Sequence, residues 1–280
     1  MGIFEGCLLA SDVDGTLESQ GKISEKNIEK IHFFINEGGH FSLASGRGPE
    51  GIMPIVKRLG EISASVTSNG CVIYDTTNKK VLHGEVIPEE DKHFVLDVLK
   101  QIPGVGIEVH IGDKTYNVNR NKESDDHEFN EEIDAIFLDV KEIMDIPWSK
   151  VLYMPTNSQE MEQLIRISRS EKSSEFISSC ANIEGTQRDY YEQVPVGVSK
   201  ASALEKLKKI YNIKEGLFFA IGDYYNDLEM LSIADISAAT AEAPQDIKDK
   251  CDYIACGCAE GAVGDFIDYL TEKFKNKGSI

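Results

Sequence analysis

The sequence lacks two features: an apolar run long enough to cross a membrane, and an excess of basic residues. Its apolar runs, such as residues 217–221, are far shorter than the roughly 20 residues of a transmembrane helix. Lysine and arginine total 29 against 48 aspartate and glutamate residues, a formal net charge of −19. That charge disfavours binding to nucleic acid or to an anionic membrane. The first basic residue is Lys22, so no charged signal region precedes the first apolar stretch, and we expect a cytoplasmic protein.

The sequence also lacks a convincing zinc motif. Cys251, Cys256 and Cys258 lie close together, but no fourth ligand is nearby and no histidine lies at finger-like spacing from them. We therefore expect reduced thiols. The six histidines lie outside all the motifs described below, so none is a first candidate for a reacting group.

Strand-like and helix-like segments alternate in the first and last thirds of the 280-residue chain. Short links between them predict a parallel sheet with helices on both faces. Ser24 and Ser199 are candidate helix caps, Pro49 suits a first helical turn, and an amphipathic helix is predicted near the end. The predicted strands are 7–11, 40–44, 64–67, 217–221, 235–239 and 252–255.

The middle of the chain has a different pattern. It predicts a helix, a hairpin, a polar acidic stretch, a strand, a helix and two more strands, which together indicate an α+β module. We therefore predict a core made of residues 1–83 and 193–280 with an inserted domain at 84–192. In chain order the segments are 89–101, 106–111 with 114–119, 121–132, 150–154, 158–169, 175–180 and 188–194.

Two carboxylates, Asp12 and Asp14, follow the first predicted strand. Their spacing places both side chains on one side of a strand, at the edge of the sheet where ligands bind. Such carboxylates repel each other unless a cation lies between them, and oxygen ligands suit Mg²⁺. A plain Asp-Gly turn remains an alternative. A calcium loop is excluded, because Thr16 stands where it needs Asp or Asn.

Ser45, Gly46 and Arg47 follow the second predicted strand and precede a helix. A hydroxyl and backbone N–H groups at a helix start can bind phosphate, although a simple helix cap explains them equally well. Residues 46–51 also fit the dinucleotide pattern GxGxxG. That pattern expects an acidic residue at the end of the next strand, where this chain has none, so a nicotinamide cofactor is disfavoured.

Two segments in the last third complete the set. Asp223, Asn226 and Asp227 follow the apolar strand at 217–221, and Lys200 lies at the start of a predicted helix. Taken alone, Asn226 or Asp227 could simply cap a helix, and Lys200 could simply be a solvated lysine. Together, the four segments supply carboxylates for a metal, a hydroxyl and a cation at one edge of an α/β core. This set of groups fits phosphoryl transfer.

The order of these motifs resembles the haloacid dehalogenase superfamily, specifically its Cof-type phosphatases. The motifs are DxDGT at Asp12, Ser-Gly-Arg at Ser45, a lysine at Lys200, and GDxxND at Gly222. The resemblance covers the core segments and implies a Rossmann-like α/β core with an inserted α+β cap of the C2B type. It also implies a Mg²⁺-dependent phosphatase that acts on a small phosphorylated metabolite, such as a sugar phosphate.

The resemblance further implies a role for each motif residue. Asp12 would be the nucleophile, and Asp14 would protonate the leaving alcohol and then activate water. Mg²⁺ would be held by Asp12, the Asp14 carbonyl and Asp223. The remaining implied contacts are phosphate binding by Ser45, Gly46, Lys200 and Asn226, orientation by Asn226 and Asp227, and lining of the site by Arg47 and Asn69.

Alternatives remain at this point. The same core could transfer the phosphate to a second hydroxyl as a phosphomutase, or it could bind a phosphometabolite without catalysis. The chain departs from the subgroup at Glu242, where Asn is common, and that carboxylate could alter substrate approach or face solvent. Arg188, Tyr190 and Tyr191 could face the substrate or pack within the cap.

Overall fold

The computed structural model describes residues 2–169, 173–183 and 186–277, with the side chains of 180–183, 186–187 and 276–277 left aside. The last three residues of the predicted core and the side chain of Cys180 therefore lie outside the described set. The strands in these ranges are β1 Leu8–Ser11, β2 Glu18–Ser19, β3 Lys22–Ile23, β4 His40–Leu43, β5 Ser65–Thr67, β6 Val72–Asp75, β7 Lys80–Gly84, β8 Gly106–Ile111, β9 Lys114–Asn119, β10 Ile136–Phe137, β11 Lys150–Met154, β12 Ser174–Ile183, β13 Thr186–Pro195, β14 Phe218–Gly222, β15 Ile236–Ala239 and β16 Tyr253–Ile254.

The α-helices in the same ranges connect and flank these strands. They are α1 Glu25–Asn36, α2 Pro49–Leu59, α3 His93–Gln101, α4 Lys122–Glu131, α5 Ser158–Ser168, α6 Lys200–Ile210, α7 Leu228–Ser232, α8 Gln245–Lys248 and α9 Ala262–Lys277. No helix within the described ranges combines the length and the apolar character needed to cross a bilayer.

The two ends of the chain build one parallel sheet, in the order β16-β15-β14-β1-β4. β1 lies between β4 and β14, and its four residues are all buried, as are those of β14. Burial on both faces explains why these strands are uninterrupted apolar runs. One face packs against α1, α2 and α9, and the other against α6, α7 and α8. The predicted α/β core with helices on both faces is confirmed.

The middle of the chain builds a second sheet, mostly antiparallel, in the order β10-β9-β8-β11-β13-β12. Apolar residues that alternate along β8, β11 and β13 pack against α3 and α5 and form a separate core around Trp148 and Tyr153. We call this part of the chain the cap. The hairpin β8–β9 has the predicted bounds. The division at residues 84 and 192 stays a prediction, although β7 ends at Gly84 and β13 extends to Pro195.

The sequence prediction missed several elements. The acidic stretch at 121–132 contains the helix α4, which begins at a reciprocal cap between Asn121 and Ser124. Its few apolar residues hid the helical period, and capping and contacts with β8 and α2 stabilise it instead. The predicted helix at 89–101 is a 3₁₀ turn, Glu89–Asp91, followed by α3. The short strands β2, β3 and β10 and the hairpin β6–β7 were also not predicted.

The loop after β5 contacts the start of α6 at Gly70. This residue has φ of +103°, and a Cβ placed there would overlap the carbonyl oxygen of Ser199, the cap residue of α6. The preceding residues Ser68 and Asn69 also have positive φ, at 50° and 55°. Only a residue without Cβ lets the loop pass this close. The contact fixes Lys200, which follows Ser199, relative to Asn69.

We expect Gly70→Ala to destabilise the protein more than a change in backbone preference explains. Gly112→Ala is the control, because Gly112 also has positive φ, +60°, but nothing lies within 4 Å of its added Cβ. The control should cost about 1–2 kcal/mol of unfolding free energy, and Gly70→Ala at least about 2 kcal/mol more. Urea unfolding of both variants measures this. Equal losses would show that Ser199 moves aside without cost.

Candidate active site

The turn after β1 brings Asp12 to the end of β14. The backbone N–H of Asp12 donates to the carbonyl of Ile221 at 3.0 Å, which continues the pairing of the two strands. Gly15 has φ of +86°, and a Cβ there would lie 2.5 Å from Oδ2 of Asp223. The Thr16 hydroxyl donates to Oδ1 of the same carboxylate at 3.0 Å. The motif that begins at Asp12 and the motif that begins at Gly222 are therefore in contact.

Lys200 connects two of the carboxylates. Its Nζ lies 2.6 Å from Oδ1 of Asp12 and 2.8 Å from Oδ1 of Asp227. The other oxygen of Asp227 accepts from the backbone N–H groups of Asp223 and Tyr224, at 3.0 and 3.2 Å. Lys200 is 2% exposed and Asp227 is completely buried, so the solvated lysine considered from sequence is wrong. Asp227 thus holds the ammonium group of Lys200 and the backbone of Asp223 and Tyr224 in place.

Carboxylate oxygens of Asp12, Asp223 and Asp227 lie within 4.8 Å of one another. Burial, together with the nearby Asp227, raises the pKa of Asp12 well above its usual range and that of Asp223 to about 7. Burial alone lowers the pKa of Lys200, but Asp12 and Asp227 outweigh it and raise the pKa overall. When ionised, the three carboxylates outnumber the one lysine, and this repulsion, with burial, is what raises the pKa values of Asp12 and Asp223 and what a bound cation would relieve. An oxygen-only donor set with excess negative charge fits a hard divalent cation.

Ser45 and Gly46 lie beside this cluster, at the start of α2. The side chain of Ser45 is buried, and its oxygen accepts from the backbone N–H of Arg47 at 3.1 Å. Helix α2 begins at Pro49, and its cap residue is Gly48, which offers no side-chain cap, so Ser45 is not the cap. The loops that contain Gly46 and Asn69 pass close to each other, since a Cβ on Gly46 would lie only 3.2 Å from Oδ1 of Asn69.

Asp14 is placed apart from the carboxylate cluster. Its side chain is 60% exposed and forms a two-pronged ion pair with Arg47, in which Nε donates to Oδ2 at 3.1 Å. Arg47 also lies 3.4 Å from Glu18 and 3.9 Å from Glu131 of the cap. The guanidinium thus holds the Asp14 carboxylate while it contacts the cap.

Cap residues close over the same loops. Lys150 donates to the carbonyl of Gly46 at 3.0 Å and pairs with Glu192 at 2.6 Å. Glu192 in turn accepts from Asn69 at 2.7 Å, and Nδ1 of His110 lies 3.1 Å from the Ser68 hydroxyl. Sequence reasoning missed the three cap residues Lys150, Glu192 and His110, because no motif contains them. A usable signal was the alternation along 106–111, where a glutamate and a histidine interrupt apolar residues at every second position.

The structure also places the remaining residues that the sequence analysis named. Asn226 is exposed in the turn after β14. Tyr191 packs in the cap core against Phe176, whereas Tyr190 lies on the opposite face of the same strand. Arg188 pairs with Glu123 and Asp126. Glu242 accepts from the backbone N–H of Cys258 at 3.2 Å, so it supports a turn.

The geometry can be compared with known proteins. A family model for haloacid dehalogenase-like hydrolases matches residues 9–267. The chain belongs to this family. It is 26% identical to phosphatase YwpJ of Bacillus subtilis over 289 residues, which covers 94% of this chain and 99% of that protein. It is thus a hydrolase by family, and its full-length relatives include named phosphatases.

Two further comparisons concern length and shape. The chain is 26% identical to a chloroplast protein of Arabidopsis thaliana named endoribonuclease YBEY, but the match covers 91% of this chain and only 45% of that protein. A haloacid dehalogenase-like hydrolase from Bacteroides thetaiotaomicron has a similar structure, with a TM-score of 0.81 and 25% identity. That similarity covers 94% of this chain and 99% of the other. The fold therefore extends over the cap as well as the core.

We expect His110 to make the protein less stable as the pH falls. Burial, with Lys150 and His127 nearby, lowers the pKa of His110 to about 3. The folded state then keeps His110 neutral while the unfolded state takes up a proton below about pH 6.5, so stability is lost as pH falls through that value. Between about pH 7.5 and 5.5, wild type should lose about 1 kcal/mol more unfolding free energy than His110→Gln.

Urea unfolding at several pH values measures this difference. His32→Gln is the control for loss of a histidine, because His32 is exposed. Parallel pH curves for wild type and His110→Gln would contradict the assignment of a neutral, buried His110.

Proposed function

We propose that the protein is a Mg²⁺-dependent phosphatase that cleaves phosphomonoesters through an aspartyl-phosphate on Asp12. The observation that carries this proposal is the buried contact of Asp12 with Lys200, beside a carboxylate cluster with excess negative charge. Asp12 follows β1, which lies between β4 and β14 in the core sheet, on a turn that Gly15 lets approach Asp223 closely. A carboxylate nucleophile in phosphoryl transfer depends on being held in a fixed position more than on activation by a neighbouring base.

The metal would be held by Asp12, Asp223 and the backbone carbonyl of Asp14. When bound, Mg²⁺ supplies positive charge that neutralises the carboxylates and the phosphoryl oxygens. Asp227 supports this arrangement, because it holds Lys200 with one oxygen and the backbone of Asp223 with the other. Lys200, Ser45, the backbone N–H of Gly46 and Asn226 would contact the phosphoryl group.

In the first step a carboxylate oxygen of Asp12 forms a bond to phosphorus, and the bond from phosphorus to the leaving oxygen breaks. Asp14 supplies the proton that the leaving alcohol needs. In the second step water attacks phosphorus, Asp14 takes a proton from that water, and inorganic phosphate and free Asp12 are released. In the structure both Asp14 oxygens accept from Arg47, and we infer that this pair loosens when Asp14 contacts the leaving oxygen.

A phosphomutase is the rival proposal for the same core. A mutase returns the phosphoryl group to another position of the same sugar and must hold a phosphate in the cap as well. Among the described cap residues, Lys150 and Arg188 could supply positive charge, but both are already paired with carboxylates. This pairing favours hydrolysis. In ³¹P NMR, release of inorganic phosphate supports the phosphatase, and migration between sugar positions without release supports the mutase.

We expect Asp12→Asn to abolish phosphate release, because an amide cannot form the covalent intermediate. Turnover of p-nitrophenyl phosphate with Mg²⁺ should fall by at least about three orders of magnitude. Asp97→Asn, an exposed aspartate on α3, is the matched control and should retain wild-type turnover. Chelation of Mg²⁺ should also stop wild-type turnover. Full activity in Asp12→Asn, or without metal, would contradict the mechanism.

A further inference from the structure

One face of the cap sheet is polar yet buried. Glu108, His110, Asn117, Lys150 and Glu192 are each at most 4% exposed. The strand register places them side by side, since Glu108 is opposite Asn117 on β9, and His110 is opposite Lys150 on β11. Partners in register lie on the same face of a sheet. The apolar face packs against α3 and α5, so this polar face is the one directed at the core.

Several atoms of this face lack a hydrogen-bond partner among the described residues. They are Oε1 of Glu108, Nε2 of His110, Oδ1 of Asn117, the hydroxyl of Tyr190 and Nε of Arg188, whereas Oε2 of Glu108 faces His127. Tyr190 is 6% exposed and its ring contacts His127 edge to face. Folded proteins pair nearly all buried polar atoms, and an unpaired one costs stability. Five such atoms in one patch indicate a surface that is completed by a ligand.

The charges on this face define which ligand fits. His127 lies 3.0 Å from Glu108 and 3.2 Å from Glu131, and these carboxylates outweigh burial and raise its pKa. Lys150 is paired with Glu192, as described above. Each described cation here is already paired with a carboxylate, including Arg188 with Glu123 and Asp126, so a second anionic group of a ligand would find no cation that lacks a negative partner. The unpaired atoms are mostly acceptors, which bind hydroxyl donors.

The polar face also lies next to the proposed phosphate site. His110 contacts Ser68, Lys150 contacts Gly46 and Glu192 contacts Asn69, all on loops that surround Asp12. In addition, a Cβ on Gly48 would lie 2.9 Å from Nδ1 of His110, so the loop passes directly beneath the cap. The alcohol part of a phosphomonoester bound at Asp12 would therefore meet this face.

Building on the proposed function, we propose that Glu108, Asn117 and Tyr190 determine substrate specificity. Glu108 and Asn117 accept from hydroxyl groups of the leaving alcohol, and Tyr190 donates to one of them. The enzyme then selects monophosphates of uncharged, hydroxyl-rich alcohols and rejects those that carry a second anionic group.

A matched substrate pair tests the selectivity. Glucitol 6-phosphate and 6-phosphogluconate have the same open chain, and differ by a hydroxymethyl against a carboxylate at the far end. We expect kcat/KM to be at least about tenfold higher for glucitol 6-phosphate, because a missing buried hydrogen bond or an unpaired charge costs that much. Equal values, or a preference for 6-phosphogluconate, would overturn the proposal.

Two variants test the residues. Tyr190→Phe removes only an unpaired hydroxyl, so Tm should not fall, while kcat/KM for glucitol 6-phosphate falls about tenfold. A purely structural Tyr190 would leave kcat/KM unchanged. Glu108→Gln should reduce the discrimination between the two substrates. Glu162→Gln, an exposed residue of α5 on the other side of the cap, is the control.

p-Nitrophenyl phosphate separates the two levels of the proposal, since it has no hydroxyl chain. Both variants should therefore lose a smaller fraction of kcat/KM with p-nitrophenyl phosphate than with glucitol 6-phosphate. Wild type that releases no phosphate from it with Mg²⁺ would contradict the proposed function itself. Normal release, combined with unchanged discrimination in both Tyr190→Phe and Glu108→Gln, would contradict only the assignment of the cap residues.

Discussion

The buried contact of Lys200 with Asp12 and Asp227 connects the two ends of the chain at the centre of the core. Asp12 follows β1, Lys200 begins α6 and Asp227 follows β14, so the ion pairs join residues that are 188 and 27 positions apart. Buried carboxylates without a cation would be very costly. The surrounding structure is consistent with this constraint, since Gly15, Gly70 and Gly222 each allow a close approach that a Cβ would block. The proposed binding of a metal ion and a phosphate depends on this crowding of charged groups.

Much of this arrangement could be predicted from the sequence, because it depends on local patterns. The order of apolar runs and caps predicted the parallel core, and Ser24 and Ser199 cap α1 and α6 as expected. The motif residues could be placed at one sheet edge, since carboxyl ends of parallel strands lie together. Their individual roles stay predictions that rest on the family resemblance.

What could not be predicted depends on contacts between distant segments. The pair of Asp14 with Arg47 requires the loop after β4 to return over the turn after β1, and no local pattern specifies its geometry. The acidic helix α4 has no apolar stripe to reveal it. His110 and Glu108 lie outside every motif, and their importance appears only when the cap sheet is placed on the core. Sequence patterns thus identify the proposed reacting groups better than the cap groups proposed to contact the substrate.

The position of β1 has a consequence for synthesis of the protein. One neighbour in the sheet, β4, follows within about 30 residues, but the other, β14, begins at Phe218, after the entire cap. When a ribosome makes the chain from the N-terminus, one side of β1 therefore stays unpaired until the cap has emerged. The cap has its own apolar core and can fold during this interval. The sheet edge that holds Asp12, Lys200 and Asp227 can therefore form only after the cap has been synthesised.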